Sequence, residues 1–468
     1  MILKAWRKDL YLSCNIAKRM KRVLVIAYYW PPAGGSGVQR WLKFAKYLPG
    51  EDWQPVIYTP ENPEISSVDR TLLDEIPAEV ETIRRPILEP YGIYRRLMGS
   101  NASTDMNTLI GNEAAQATGG EVNPISGGSK SWKQNLSLWI RGNLFIPDPR
   151  VWWLRPSVRF LKKYLKEHPV DAIVTTGPPQ SMHLIGLKLH KETGIPWVAD
   201  FRDPWTKMFY YKHLHLSKAA DRKQHRMEKA VLDGASAVIS VTPLVQREFQ
   251  EMTRTPVILI TNGFDEDDYP AFTDNVRSGD PERFCVTHTG LFAEDGNPLV
   301  LWDVLAEKCA EDESFRNALR IRLAGKVDEA IVTAIEARGL GRCLDNLGYR
   351  SHLEAVAEQR AASLLILPLR QEPEYFNVLP GKIFEYLAAR RPVLGIGQED
   401  GAAAKVLADT GAGVMCDWDN AAAIRSTVDR AWSAHLAAAP FNPTGLELYT
   451  RRHLTHLLAT LLNQLSSR

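Results

Sequence analysis

Val23-Leu-Val-Ile-Ala27, Tyr28-Tyr-Trp-Pro-Pro-Ala-Gly-Gly-Ser-Gly37 and Val38-Gln-Arg-Trp-Leu-Lys-Phe-Ala-Lys-Tyr-Leu48 follow one another without interruption. Five consecutive apolar residues suit a strand buried on both faces of a parallel sheet. The loop after it is rich in small residues. Val38, Trp41, Leu42, Ala45 and Leu48 then fall on one helical face. Pro55-Val-Ile-Tyr-Thr59 supplies a second strand. Strand, glycine loop, helix and strand make a βαβ unit, whose crossover is right-handed almost without exception.

The same alternation continues outward. Strands are expected at Val80–Ile83, Ala172–Thr175, Trp197–Ala199, Ala237–Val241 and Val257–Ile260, with helices around Ser181–Thr193 and Ala219–Leu232. This is the pattern of a doubly wound α/β domain. A polar segment from Thr273 to Pro281 reads as a linker. A second alternation follows, with strands at Phe284–Val286, Leu319–Leu323, Leu364–Leu367, Val393–Ile396 and Gly413–Met415. Leu446–Leu465 reads as a helix. A length of 468 residues fits two to three domains. The expected division is 1–20 as an extension preceding the true start, 21–272, a linker at 273–283, 284–440, and 441–468. Residues 100–131 are dominated by Ala, Ser, Thr, Asn and Gly and read as an insertion in the first domain.

Composition is near the averages for globular proteins, at 45% hydrophobic and 24% charged. A net charge of +2 gives no whole-protein field favouring nucleic acid. The five cysteines include no CxxC pair, which argues against a disulfide framework or a zinc site and fits a reducing compartment. No apolar run reaches the roughly 18 residues of a membrane span. Trp132, Trp139, Phe145, Trp152 and Trp153 alternate with Lys133, Arg141, Arg150 and Arg155. Such a mixture suits a membrane interface, while tryptophans packed against the domain would read the same way.

Several groups stand at carboxyl ends of strands, where open α/β sheets bind ligands. Gly34, Gly35, Ser36 and Gly37 precede the first helix, whose start favours an anion. A dinucleotide fingerprint fails, because Arg40 occupies the place of its third glycine; no Walker motif is present. Gly177 follows the next strand, and His183 begins the helix beyond it. Asp200, Arg202 and Asp203 form a charged cluster after another. His288 and Gly290 end the first strand of the second domain. The stretch from Leu379 to Ile396 opens on Pro380-Gly381, with Lys382 in the first turn of a helix and Glu385 nearly a turn later. Backbone N–H groups and a lysine suit an anion; a carboxylate suits sugar hydroxyls. An amphipathic helix with Ile383, Phe384 and Leu387 inward accounts for the same residues.

Pro31-Pro-Ala-Gly-Gly-Ser-Gly37, Ala199-Asp-Phe-Arg-Asp-Pro-Trp205, Asn262-Gly-Phe-Asp265 and Gly381-Lys-Ile-Phe-Glu-Tyr-Leu387, in that order, resemble the GT-B glycosyltransferases of the family-4-like group, which build polysaccharides and cell envelopes. The resemblance implies two Rossmann-like doubly wound α/β domains facing a cleft. The first would bind an acceptor through Gly34, Gly35, Ser36, Gly37, Gly177 and Arg202. The second would bind a nucleotide-diphosphate-sugar through His288, Gly290, Lys326, Asn377, Gly381, Lys382 and Glu385. The C-terminal helix would pack back on the first domain. Asp200 or Asp203 would orient or deprotonate the acceptor hydroxyl, and Lys382 would stabilise the departing phosphate. The expected enzyme retains configuration, needs no metal and no cofactor beyond the donor, and acts on a saccharide or lipid-linked acceptor. It would work in the cytoplasm, at the inner face of the membrane where it contacts one. Two positions depart from the family pattern. Asn377 stands where a first glutamate is usual, with Glu372 and Glu374 close by, and Leu291 replaces an arginine, leaving Lys326 and Lys382 to hold the diphosphate. A nucleotide-sugar epimerase or a non-catalytic binding subunit would share this architecture. A nicotinamide dehydrogenase fits less well.

Overall fold

The computed structural model of the chain describes residues 19–65, 68–88, 139, 142–208, 211–269, 282–372, 375–376 and 378–467. The insertion at 100–131, the linker residues 273–281, Glu374 and Asn377 lie outside the described residues, as do residues 1–18.

Two parallel sheets organise the chain. The first contains β1 (Lys21–Ile26), β2 (Trp53–Pro60), β3 (Glu81–Arg85), β4 (Ala172–Gly177), β5 (Trp197–Phe201), β6 (Ala237–Ser240) and β7 (Val257–Leu259). Its spatial order is 3-2-1-4-5-6-7. The period-two alternation of a strand sends neighbouring side chains to opposite faces. Val23, Val25 and Ala27 therefore pack beneath α1 (Ser36–Tyr47), while Leu24 and Ile26 pack on the other face. That other face is covered by α2 (Leu154–Glu167), α3 (Ser181–Thr193), α4 (Lys218–Gly234) and α5 (Pro243–Met252).

The second sheet contains β8 (Phe284–Thr289), β9 (Leu319–Ala324), β10 (Leu344–Gly348), β11 (Leu364–Pro368), β12 (Val393–Ile396) and β13 (Gly413–Cys416), in the order 10-9-8-11-12-13. Phe284, Val286, Ile321, Leu323, Leu364 and Ile366 pack against α6 (Leu299–Glu311), α7 (Glu313–Ala318), α8 (Glu329–Glu336) and α12 (Ala421–Leu436). Leu365, Leu367 and Val393 pack against α10 (Gly381–Ala389) and α11 (Ala402–Thr410). Helix α9 (His352–Ala361) lies between β10 and β11 in the chain. The expected α/β class and two-sheet organisation are thus observed.

Strand β10 was not expected. Leu344-Asp-Asn-Leu-Gly348 has no apolar run, because an edge strand with one neighbour needs none. The expected C-terminal helix divides into a 3-10 turn at Leu446–Tyr449 and α13 (Arg451–Ser466), with Thr450 capping the latter. Leu454, Leu458, Ala459, Leu461 and Leu462 of α13 join the core under α1. The returning chain docks on Asn262-Gly-Phe-Asp265. Phe264 N donates to Tyr449 O at 3.1 Å, and Arg451 N donates to Phe264 O at 2.8 Å. A Cβ on Gly263 would stand 2.1 Å from Tyr449 O, so only glycine permits this approach.

Candidate functional site

Each sheet reverses its strand order once, between β1 and β4 in the first and between β8 and β11 in the second. The crevice at such a reversal is where α/β sheets hold ligands. Both clusters of expected site residues fall there.

At the first reversal the arrangement is mostly internal. Asp200 is fully buried. Its Oδ1 accepts from Arg40 Nη2 at 2.9 Å, and its Oδ2 accepts from Arg40 Nε at 3.1 Å, Trp41 Nε1 at 2.8 Å and Thr176 Oγ1 at 3.0 Å. Arg40 also donates to Ile260 O and Thr261 O, at 2.9 and 2.8 Å. Burial alone would raise the Asp200 pKa, but the charge and hydrogen bonds of Arg40 and Trp41 hold it below the usual carboxylate range. A carboxylate with both oxygens engaged cannot also take an acceptor's proton. The geometry gives Asp200 the role of an anchor that ties α1 to β4, β5 and, through Arg40, the end of β7. In sequence, Arg40 is legible only as a broken glycine fingerprint.

Arg202 ties the loops of the same edge together. It donates to Gly37 O at 2.8 Å, Pro178 O at 2.5 Å and Gly177 O at 3.3 Å. It thereby sets the spacing between the two loops that carry Gly34, Gly35, Gly37 and Gly177. Gly35 caps α1 at φ +91°, and no side chain caps that helix. Asp203 differs from Asp200. Among the described residues it accepts no hydrogen bond, and burial pushes its pKa up to about 6 against the opposing charge of Arg202. It is the carboxylate of this edge that is poised to exchange a proton near neutrality.

His183, which begins the helix after Gly177, is fully buried beside Thr175. Thr175 Oγ1 accepts from Trp197 Nε1 at 2.9 Å and lies 2.8 Å from His183 Nδ1. The imidazole is neutral, its pKa lowered to about 3 chiefly by burial, and its other ring nitrogen is Nε2. That nitrogen is buried without a partner among the described residues, and a Cβ on Gly177 would stand 2.5 Å from it.

The second reversal is built around Lys382. Helix α10 begins at Gly381 after Pro380, with no side-chain cap. Gly290, at φ +95°, lies under Lys382: a Cβ there would stand 2.6 Å from its Cε. Gly325 in turn lies on Gly290, where a Cβ would stand 2.2 Å from Gly290 O. The ammonium reaches Leu291 O at a weak 3.5 Å, leaving most of its donor capacity unused among the described residues. Burial lowers the Lys382 pKa, and Glu385 opposes that shift. Glu385 Oε2 accepts from Gln359 Nε2 at 2.9 Å, and the same amide donates to Thr289 Oγ1 at 2.9 Å. Thr289 N donates to Tyr386 OH at 3.1 Å. Gln359 and Tyr386 hold the end of β8 against α10; Tyr386 lies within the Gly381–Leu387 stretch, whereas Gln359 belongs to no motif of the sequence.

His288 turns inward instead of toward a ligand. Its ring nitrogens lie 3.1 Å from Ile366 O and 3.2 Å from Leu291 O. Burial, then the charge of Lys382, lowers its pKa to about 3. It is a neutral ring that shapes the turn on which Lys382 rests. Lys326 is exposed on the loop after β9, and its backbone O accepts from Phe292 N at 2.9 Å. Among the described residues no group of histidine, cysteine and carboxylate side chains could hold a metal ion.

Residues 119–268 match the family model for Glycosyltransferase Family 4. Among solved structures, a sucrose-phosphate synthase from Thermosynechococcus elongatus is similar at a TM-score of 0.58 and 15% identity, over 96% of this chain and 99% of that one. WaaG, a glycosyltransferase involved in lipopolysaccharide biosynthesis, is similar at 0.52 and 14%, over 94% and 99%. S. aureus TarM, solved with UDP, fondaparinux and alpha-GlcNAc-glycerol, is similar at 0.54 and 12%, over 95% and 100%. At these identities the likeness is one of fold: the two-domain architecture is GT-B, as the sequence resemblance implied. No curated protein sequence matches the chain.

Proposed function

We propose that the protein transfers a sugar from a nucleotide-diphosphate-sugar to a saccharide or lipid-linked acceptor in polysaccharide or cell-envelope synthesis. The observation that carries this reading is Lys382, laid over Gly290 beside an uncapped helix start at the strand reversal of the second sheet. An ammonium with unused donors next to first-turn amides is an anion site. Placed at a leaving diphosphate, it stabilises charge as that charge develops, which is usually the largest catalytic effect. The family match on the first domain and the shared fold support the same reading.

The roles then divide as follows. Lys382 and the Gly381 amide hold the phosphates over the turn at Gly290, whose own N–H is donated to Ala324 O, with Lys326 exposed at the rim. Glu385, fixed by Gln359, takes ribose hydroxyls, and Asn377 is assigned to the donor sugar. The acceptor lies against the loops of Gly34 to Gly37 and Gly177. Asp203 positions its hydroxyl. A retaining, metal-independent reaction needs Asp203 only for positioning, because the departing phosphate takes the acceptor's proton. A candidate UDP-N-acetylglucosamine 2-epimerase from Listeria monocytogenes is also similar, at a TM-score of 0.52 and 10% identity over 96% and 97%. An epimerase would turn over donor without an acceptor.

Thermal denaturation with UDP, GDP, ADP, dTDP and NAD, each with magnesium or EDTA, tests the donor site. A ligand at about 100 times its Kd adds roughly 2.7 kcal/mol. Stabilisation by one nucleoside diphosphate, unchanged by EDTA and lost in Lys382→Ala, is expected. Stabilisation by NAD alone, or by none of the five, would overturn the reading.

A further inference from the structure

The surface of the first domain opposite α1 is strongly cationic, although the whole chain carries only +2. On α2, Arg155, Arg159, Lys162, Lys163 and Lys166 recur at helical spacing and are all exposed. They form one stripe about 16 Å long at 1.5 Å per residue. Helix α3 packs beside α2, and α4 packs beside α3. Exposed Lys188 and Lys191 on α3, and Lys218, Arg222, Lys223, Arg226 and Lys229 on α4, extend the stripe sideways. Across the three helices there are twelve lysines and arginines against five carboxylates. One of those five, Glu228, is buried, and Glu192 is paired with Lys162 at 2.7 Å.

An apolar rim adjoins this face. Leu144 is 65% exposed, and Trp139 and Trp152 are each 44% exposed. Trp153 by contrast is buried and stacks on Tyr58, with ring centroids 4.8 Å apart. The exposed rings are held in place by the protein. Asn143 donates to Trp139 O at 2.8 Å and accepts from Ser217 N at 2.7 Å, pinning this segment to the start of α4. Asp148 accepts from Ser181 N at 2.8 Å, pinning it to the start of α3. Trp152 lies in the turn that leads into α2. In a parallel α/β sheet, helices start at the carboxyl edge of the strands, so this rim borders the edge that carries Gly177, Arg202 and Asp203.

Cations over a broad face with indole rings at its border match a membrane surface: phosphate-bearing headgroups meet the cations, and the indoles sit at headgroup depth. Charge complementarity selects an anionic lipid over a neutral one. We infer that α2, α3 and α4 dock this protein on an anionic lipid bilayer, with Trp139, Leu144 and Trp152 entering the interface and the carboxyl edge of the first sheet brought to the membrane. The docking surface shares no residue with the donor site.

The test is co-sedimentation of the full chain with phosphatidylglycerol-containing vesicles and with pure phosphatidylcholine vesicles, at 50 and 500 mM salt. Binding to the anionic vesicles, weakened at high salt and accompanied by a blue shift of tryptophan emission, is expected. Arg159→Glu, Lys163→Glu and Lys166→Glu together should lower partitioning roughly 100-fold or more. The double variant Trp139→Ala, Trp152→Ala should retain salt-sensitive binding, weakened about tenfold, without the full blue shift. All five residues are exposed, and nucleoside-diphosphate binding by each variant verifies its fold. No binding to anionic vesicles, equal binding to both lipids, or unchanged binding by the charge-reversed variant would overturn the inference. So would tighter binding to RNA than to vesicles under the same salt.

Discussion

The two strand reversals make opposite use of charge. At the first, Arg40 and Asp200 are buried, paired and hydrogen-bonded to capacity. At the second, among the described residues, Lys382 has one long hydrogen bond, to a carbonyl, with Glu385 set apart on the same helix. Equivalent places in equivalent sheets therefore do different work. The first edge spends its strongest ion pair on holding α1, β5 and β7 together. The second keeps an ammonium that, among the described residues, is largely unsatisfied beside an uncapped helix start. Position at a sheet's carboxyl edge identifies where a ligand can bind; the hydrogen-bond tally of each charge decides which residues can bind it.

Breaking the buried pair should have the largest effect. Arg40→Ala leaves Asp200 charged and unpaired in the core, a loss of about 3–5 kcal/mol. At roughly 2–4 °C per kcal/mol for a domain of this size, the melting temperature should fall by about 6–20 °C. Asp200→Asn should also destabilise, since it strands the guanidinium. Thermal denaturation checks both. Near-wild-type melting in either would show that the pair is not the anchor described.

Lys382→Ala should behave in the opposite way. Its melting temperature should stay within a few degrees of wild type, while nucleoside-diphosphate affinity falls about 10- to 100-fold, the value of a hydrogen bond to a charged group. Titration calorimetry reads the affinity. A large loss of stability with unchanged affinity would make Lys382 a second structural charge. Gly290→Ala should lie between the two. Positive φ costs a non-glycine residue about 1–2 kcal/mol, and the added Cβ displaces the Lys382 side chain. Affinity should fall roughly tenfold, together with a few degrees of melting temperature. Full affinity in Gly290→Ala would show that the lysine does not need this seat.

Much of the contrast was hidden in the sequence for a physical reason. Buried strands announce themselves through apolar runs, which is why the two sheets were legible and the polar edge strand β10 was not. Lys382, Glu385, Gly290 and Gly381 were legible because helix starts and glycine turns are local. Asp200 and Arg40 are 160 residues apart, and no local pattern tells a saturated carboxylate from a free one. Read from sequence, Asp200 and Asp203 were interchangeable. The partners of Asp200, namely Arg40, Trp41 and Thr176, and the clamp residue Gln359, acquire meaning only once the chain is folded.

The sharpest form of the comparison lies within the first edge itself, between Asp200 and Asp203. Arg40 holds the first below the usual range despite burial, whereas burial raises the second to about 6. A raised carboxyl pKa means that the folded state binds a proton that the unfolded state has already released. Stability from Asp203 is therefore greatest at low pH and declines as pH rises from about 4 through 6. Asp203→Asn should remove that decline, leaving the variant at least as stable as wild type at pH 7. In turnover, an ionised Asp203 that positions or deprotonates an acceptor gives a limb rising toward pH 6, and this limb should vanish in Asp203→Asn. Asp200→Asn should lose stability over the whole range above its own low pKa and leave the limb near 6 in whatever activity survives. If the limb instead follows Asp200, the two carboxylates exchange roles, and the buried Arg40 pair becomes part of the chemistry rather than of the scaffold.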